Sequence, residues 1–207
     1  MSLRILDCEQ GSAEWQEARA GIPTASRFGE IIAKGKAGAP SKVRATYMLE
    51  LTGERILGEP ADRWEGNRHT ERGHLLEPVA RAWYEMRTDR TARQVGFVID
   101  DVLRAGASPD SLVGDDGLLE IKTKLPRLQI ELLLAGGILP DEHKAQCQGQ
   151  LMVTGRQWLD FVSYCERLPP LLVRVERDEA YIAALRVAVQ DFTTELDRMV
   201  ATIEAMK

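Results

Sequence analysis

Two short segments carry side chains able to attack a phosphodiester: Ser108-Pro109-Asp110 and Glu120-Ile121-Lys122. Asp110 falls where a predicted strand ends and the chain turns. Glu120 and Lys122 lie two apart on the next strand, so their side chains leave the same face. Leu118, Leu119 and Ile121 around them are apolar, which makes the strand mostly buried. Charges on a buried strand are costly unless they are paired or bind metal. Two carboxylates and an ammonium suit metal-assisted hydrolysis. Hard Mg²⁺ or Mn²⁺ takes oxygen ligands. One ion acidifies a water, and a second, ~4 Å away, can hold the leaving oxygen. A lysine beside them can position or deprotonate the water. Glu-x-Lys alone is a common tripeptide, fully explained by a structural ion pair. The Pro-Asp ten residues earlier, at a hairpin, makes the combination specific.

The elements that must position these groups can be read from period and punctuation. Thr24 or Ser26 caps a helix through Phe28, Ile31 and Ile32. Ser41 caps another, with Val43, Tyr47, Leu51 and Ile56 at near-helical intervals. A third runs over 70–88, with Leu75, Leu76, Val79, Ala80 and Trp83 on one side. Pro78 suits its first turn if it begins near Glu77 and kinks it if it begins at Thr70. The period then changes. Strands are predicted over 95–100 and 103–108 around Asp100-Asp101, and over 111–114 and 118–123 around Asp115-Asp116-Gly117. A helix from about Asp141 to Val153 and strands over 159–165 and 171–176 follow. The chain closes with a helix over 178–206. Its Ile182, Leu185, Val189, Phe192, Leu196, Met199, Ile203 and Met206 alternate steps of three and four. That seam reads as packing against the chain's own sheet rather than as a subunit interface. Lys34–Pro40 and Gly58–Gly66 read as loops, the first basic and exposed. The architecture is α/β, one central sheet flanked by helices.

At 207 residues, with 44% hydrophobic and 29% charged side chains, the chain is one globular domain that needs no disulfide to fold. Its three cysteines, Cys8, Cys147 and Cys165, give neither a disulfide framework nor a zinc ribbon. A net charge of −5 excludes coating of nucleic acid by bulk charge but not a local basic groove. No apolar run approaches a membrane span, and the N-terminus lacks a signal-peptide core, so a cytoplasmic location is expected.

The Asp110, Glu120, Lys122 set resembles the PD-(D/E)xK nuclease superfamily. Other stretches narrow the likeness to its phage lambda exonuclease, or YqaJ-type viral recombinase, branch. Arg72–Arg81 resembles that branch's Gly-x-x-x-Glu helix, and Trp15–Ser26 its N-terminal motif. Ala145–Thr154 is similar to its glutamine-bearing helix, and Arg174–Glu179 to its last strand and terminal-helix start. The likeness spans Trp15 to the C-terminus.

The resemblance implies a restriction-endonuclease-like mixed sheet flanked by helices. It divides one nuclease domain over 1–207 into a helical part (1–90), a catalytic sheet (91–177) and a C-terminal helix (178–207). It implies Mg²⁺-dependent, processive 5′-to-3′ digestion of double-stranded DNA, releasing mononucleotides and leaving a 3′ strand for phage-type recombination. Glu77, Asp110, Glu120 and the Ile121 carbonyl match metal ligands for one or two Mg²⁺, with Mn²⁺ as a substitute. Lys122 matches the catalytic lysine, and Gln146 the glutamine that orients the water or the lysine. Arg19 and Ser26 match residues holding a 5′-phosphate, which carries more charge than an internal diester. A toroidal homotrimer around the duplex and a single-strand annealing protein are the implied partners. The alternatives are a structure-specific or restriction-like endonuclease, and an inert DNA-end-binding module on the same fold.

Several neighbours have ordinary readings. Asp115 and Asp116 can compete as ligands, but a hairpin turn explains them. His74 and His143 read as structural, Cys147 as a buried thiol, and Trp15 as a core or staple residue. Lys124 and Arg127 either contact the DNA backbone or end a solvated strand. His69, with Arg68 and Arg72, lies where the family places a strand-separating element, and no wedge residue is assigned.

Overall fold

The computed structural model describes residues 2–35, 41–61 and 68–207, with the side chains of 68–71 and 74 outside that description. The expectations for Lys36–Pro40, for Gly58–Gly66 beyond residue 61, and for the His69 and His74 side chains therefore lie outside the described residues.

The first half is helical. α1 (Ala13–Arg19) is capped by Ser12, whose hydroxyl accepts from Trp15 N. A 3-10 turn (Ala25–Arg27) leads into α2 (Phe28–Ile32). α3 (Lys42–Leu57) starts at Ser41 as predicted and ends at Gly58 in the left-handed conformation. α4 (Arg68–Thr88) starts before Thr70, which leaves Pro78 in its interior, where it removes one backbone hydrogen bond. Its buried face is only in part the predicted one: Ala80 and Trp83 pack on the core as expected. Ala80, Arg81 and Tyr84 are buried, whereas Leu75 is 75% and Val79 49% exposed. Glu77, Ala80, Arg81 and Tyr84 share a stripe at helical spacing, so the inward face is part polar and escapes a reading based on apolar period.

Two sheets follow where one was expected. The smaller is antiparallel, in the order β1 (Leu3–Leu6), β3 (Phe97–Asp100), β4 (Ala105–Ala107). The larger runs β2 (Ala92–Arg93), β5 (Ser111–Val113), β6 (Gly117–Thr123), β7 (Trp158–Tyr164), β8 (Leu171–Glu176). Within it β6 and β7 are parallel and the other pairs antiparallel. This is the mixed α/β sheet flanked by helices that was expected. β1, an edge strand with mostly exposed side chains, has no alternation to betray it.

α5 (Pro126–Leu134) and α6 (Asp141–Thr154) join β6 to β7, and α7 (Glu179–Glu204) closes the chain, capped by Asp178. α7 buries Ile182, Leu185, Val189, Phe192 and Leu196. It packs on α2, α3 and α6, not across a sheet as predicted. The seam runs off the core at its end, where Ile203 and Met206 are exposed.

The large sheet has a hydrophobic cluster on each side. One joins Leu118, Leu159 and Phe161 to Leu151, Phe192 and neighbouring helices. The other joins Leu119, Ile121 and Val162 to Ala80 and Tyr84 of α4. β6 therefore sends Leu118 toward α6 and Leu119 and Ile121 toward α4, and Glu120 and Lys122 fall on the α6 side. Gly117 is required by close approach: a Cβ there would come within 2.1 Å of the Trp158 indole.

Candidate active site

The β5–β6 hairpin sets the geometry. Ser111 pairs with Leu119, which puts Asp110 beside the Glu120–Ile121 segment. The Asp110 carboxylate accepts from Ile121 N at 2.5 Å. On the α6 side, Glu120 is 2% exposed. Its Oε1 accepts from Lys122 Nζ at 2.6 Å and Gln146 Nε2 at 2.5 Å, and its Oε2 from Gln150 Nε2 at 2.6 Å. The two glutamines are four apart, so one helical face holds both carboxylate oxygens. Gln150 Oε1 is buried and has no partner among the described residues.

Glu77 reaches the same region from α4 and pairs with Arg81 one turn on. Arg81 also donates to Ser111 Oγ at 3.0 Å, and Ser111 Oγ donates to the Asp110 carbonyl at 2.6 Å. Glu77 and Asp110 line an open cleft of about 830 Å³, which is also lined by Asp7, Glu9 and Gln10. Gln10 donates to the carbonyls of Val95 at 2.8 Å and Pro109 at 3.0 Å, pinning the turn that bears Asp110.

Electrostatics tie the groups together. Burial pushes the Asp110 carboxyl well above the usual range, and Glu120 and Glu77 add to it against Lys122 and the Ile121 N–H. Burial works against charge on Lys122, but Glu120 and Asp110 outweigh it and hold the ammonium above its ordinary value. Burial and then Glu120 push the Cys147 thiol up, as befits an inert core thiol. Among the described residues, no three His, Cys, Asp or Glu side chains are arranged to hold a metal ion as they stand. Glu120 faces Lys122 and two amides, and Glu77 faces Arg81. The donor chemistry nevertheless suits a hard divalent cation: crowded carboxylate oxygens, one held toward protonation by its neighbours.

A second cluster adjoins the first. Arg19, in the last turn of α1, lies 3.9 Å over the Trp15 ring. Its Nη1 donates to Ser108 Oγ at 3.2 Å, and Trp15 Nε1 donates to the same oxygen at 2.9 Å and to the Gly96 carbonyl at 3.2 Å. Burial, offset in part by Tyr47 and Glu54, pulls the Arg19 guanidinium down to about 10. It has no ion pair among the described residues. Arg19, Thr24, Arg27 and Tyr47 line a cavity of about 130 Å³. Ser26 is exposed and joins this group through Thr24, hydroxyl to hydroxyl at 3.2 Å.

The structure thus gathers Asp110, Glu120, Ile121, Lys122 and Gln146, brings Glu77 to the cleft, and ties Arg19 to Ser108 nearby, while Ser26 hydrogen-bonds only to Thr24 among the described side chains. Asp115 and Asp116 are exposed at the far end of the hairpin, as turn residues. Arg127 is exposed and paired with Glu131. Ser108, Gln150, Arg81 and Gln10 went unassigned in the sequence. Ser108 lies two residues from Asp110, and Gln150 and Arg81 one helical turn from Gln146 and Glu77, which was the available signal; Gln10 offered none.

Residues 14–157 match the family model described as the YqaJ-like viral recombinase domain. The chain belongs to this family. Its fold is similar to that of an alkaline exonuclease (LHK-Exo) from Laribacter hongkongensis, with a TM-score of 0.84, 39% identity, and coverage of 94% of this chain and 97% of that one. The complex of LHK-Exo with dAMP aligns with a TM-score of 0.84, 38% identity and the same coverage. A phage related exonuclease from Haemophilus somnus 129PT shares the fold at a TM-score of 0.62, with 16% identity over 90% of this chain and 96% of that one. No curated protein matches the sequence.

Proposed function

We propose that this chain is a divalent-metal-dependent 5′-to-3′ exonuclease of double-stranded DNA, acting as one nuclease domain over 1–207. The observation that carries the reading is the Asp110, Glu120, Lys122 constellation beside a half-buried arginine that has no ion pair among the described residues. The exonuclease relatives support it. Asp110, Glu120, Glu77 and the Ile121 carbonyl would hold one or two ions, Mg²⁺ with Mn²⁺ as substitute. Bound there, such an ion acidifies a water and screens charge accumulating on the phosphate.

The chain's own residues do the rest. Gln146 and Gln150 fix Glu120 from behind. Gln146 and Lys122 both reach Glu120 Oε1, so the ammonium is aimed by a rigid pair and can position the attacking water. Gln10 and Ser111 fix the turn that carries Asp110. Arg19 and Ser108, with Ser26 alongside, receive a terminal 5′-phosphate. The desolvation cost of Arg19 is already met in the fold, so an end lacking the phosphate leaves the cation unanswered.

A homotrimeric ring around the duplex would give processivity without base readout, and the exposed apolar row of Leu75, Val79 and Met86 on α4 supports self-association. Sedimentation tests this part: a monomer at micromolar concentration refutes it. An annealing protein that takes the 3′ strand is the expected partner. A cytoplasmic location fits the free cysteines, and no helix among the described residues is long and apolar enough to cross a membrane.

The test compares linear duplex with covalently closed circles in Mg²⁺. Linear DNA should shorten to a 3′ strand and mononucleotides, and circles should persist. Lys122→Ala should lower the rate by ~10²–10⁴-fold while duplex binding remains. Cutting of closed circles, or normal digestion by the variant, refutes the reading.

A further inference from the structure

The face of β6 turned to α6 does not end at Lys122. Thr123 closes the strand, and Lys124 follows with its backbone N–H still donating to Tyr164 O at 2.8 Å. Lys124 is therefore fixed by the ladder and continues the row Glu120, Lys122, Lys124. The facing row on α6 is Gln150, Gln146, His143, spaced by four and three. Gln150 and Gln146 hold Glu120, and His143 holds Lys124: Nζ donates to His143 Nε2 at 3.2 Å. The histidine is itself set, its ring 5.1 Å from that of Phe161 and its backbone N–H donating to the Pro140 carbonyl at 2.9 Å.

The charge balance differs along this row. Lys122 faces the buried Glu120 and Asp110. Lys124, with its side chain 17% exposed, faces His143 and one carboxylate, Glu142, at 3.2 Å. Glu142 is 67% exposed in the first turn of α6, and its Oε1 also lies 3.3 Å from His143 Nε2. An exposed carboxylate of that kind is a weak partner that can be displaced. Burial, then Lys124 and Lys122, pull the His143 imidazole down to about 4, so it accepts from the ammonium without adding charge. A rigid, largely desolvated cation thus stands one strand repeat, ~6.6 Å, beyond the lysine of the site. That step is comparable to the distance between successive phosphates along one nucleic-acid strand.

We infer that Lys124, held by His143, binds the backbone phosphate next to the scissile one, displacing Glu142. This deepens the function proposed above and rests on it. The contact adds sequence-independent grip and sets the strand's register against Lys122.

The experiment measures affinity for a blunt 5′-phosphorylated duplex in the Lys122→Ala background, where hydrolysis does not interfere, across 50–200 mM salt. Adding Lys124→Gln should weaken binding about eightfold at 0.1 M salt and reduce the slope of log K against log salt by about 1. Lys124→Arg should keep the slope. Independently of any folding defect at Lys124, Glu142→Gln should tighten binding severalfold, and that gain should vanish when combined with Lys124→Gln. An unchanged slope in Lys124→Gln, or a Glu142→Gln gain that survives without Lys124, overturns the inference. Failure of Lys122→Ala itself to bind duplex overturns the underlying function, a distinguishable result.

Discussion

Asp110 should cost the metal-free fold stability, and its removal should expose that cost. Its carboxylate is half-buried at the cleft beside Glu120 and Glu77, and desolvation, then these two neighbours, raise its pKa. A group whose pKa is raised by folding contributes fully below its unfolded value, and that contribution is lost as pH rises through the folded value. At pH 8 Asp110 is therefore a liability without metal. Asp110→Asn keeps an oxygen to accept from Ile121 N and removes the repulsion. The expected gain is ~1–2 kcal/mol, the scale of a relieved buried conflict. For a chain of this size that is about 2–8 °C in Tm. The assay is thermal unfolding of both proteins in chelator, from pH 8 down to pH 4. The variant should melt higher at pH 8, and the gap should close on acidification toward the ordinary carboxylate range, ~4. Millimolar Mg²⁺ or Mn²⁺ should raise the wild-type Tm and leave the variant's unmoved. A variant that melts lower at pH 8, or a gap that widens in acid, would refute the reasoning.

Other outcomes can be checked alongside. Gln150→Leu leaves Glu120 Oε2 without its donor, and denaturant unfolding should show a loss of ~1.5–3 kcal/mol. A loss below ~0.5 kcal/mol would mean that the bond is dispensable. Arg19→Lys should erase most of the preference for 5′-phosphoryl over 5′-hydroxyl ends in a digestion assay, because an ammonium lacks the planar fork and its seat on Trp15. An unaltered preference would remove Arg19 from end recognition. Gly117→Ala forces the Trp158 ring to move and should cost ~1–3 kcal/mol on calorimetry. A neutral result would show that the indole can yield.

The hairpin and its charges were legible because β6 alternates, and its turn residues, Asp115, Asp116 and Gly117, are unambiguous. The cap Ser41 marked its helix start to within a residue, since a hydroxyl on the first free N–H groups is a local matter, and the helix expected from 178 begins at Glu179. What escaped was set by distant partners. The inward face of α4 is organised around Glu77 and Arg81, so apolar spacing pointed to Leu75 and Val79 instead. β1 exists because β3 offers it an edge, and nothing among Leu3–Leu6 advertises that. Ser108 was visible beside Asp110, but its hydrogen bonds to Trp15 and Arg19 cross about ninety residues of sequence.

The strict two-sidedness of β6 has a consequence for how this chain can change. Losing or gaining a single residue between Gly117 and Glu120 would rotate the acid and the lysine toward α4 and turn Ile121 toward the glutamines. The hairpin can drift by exchange of letters but not by a shift in their count, so length variation in a designed library belongs outside this stretch.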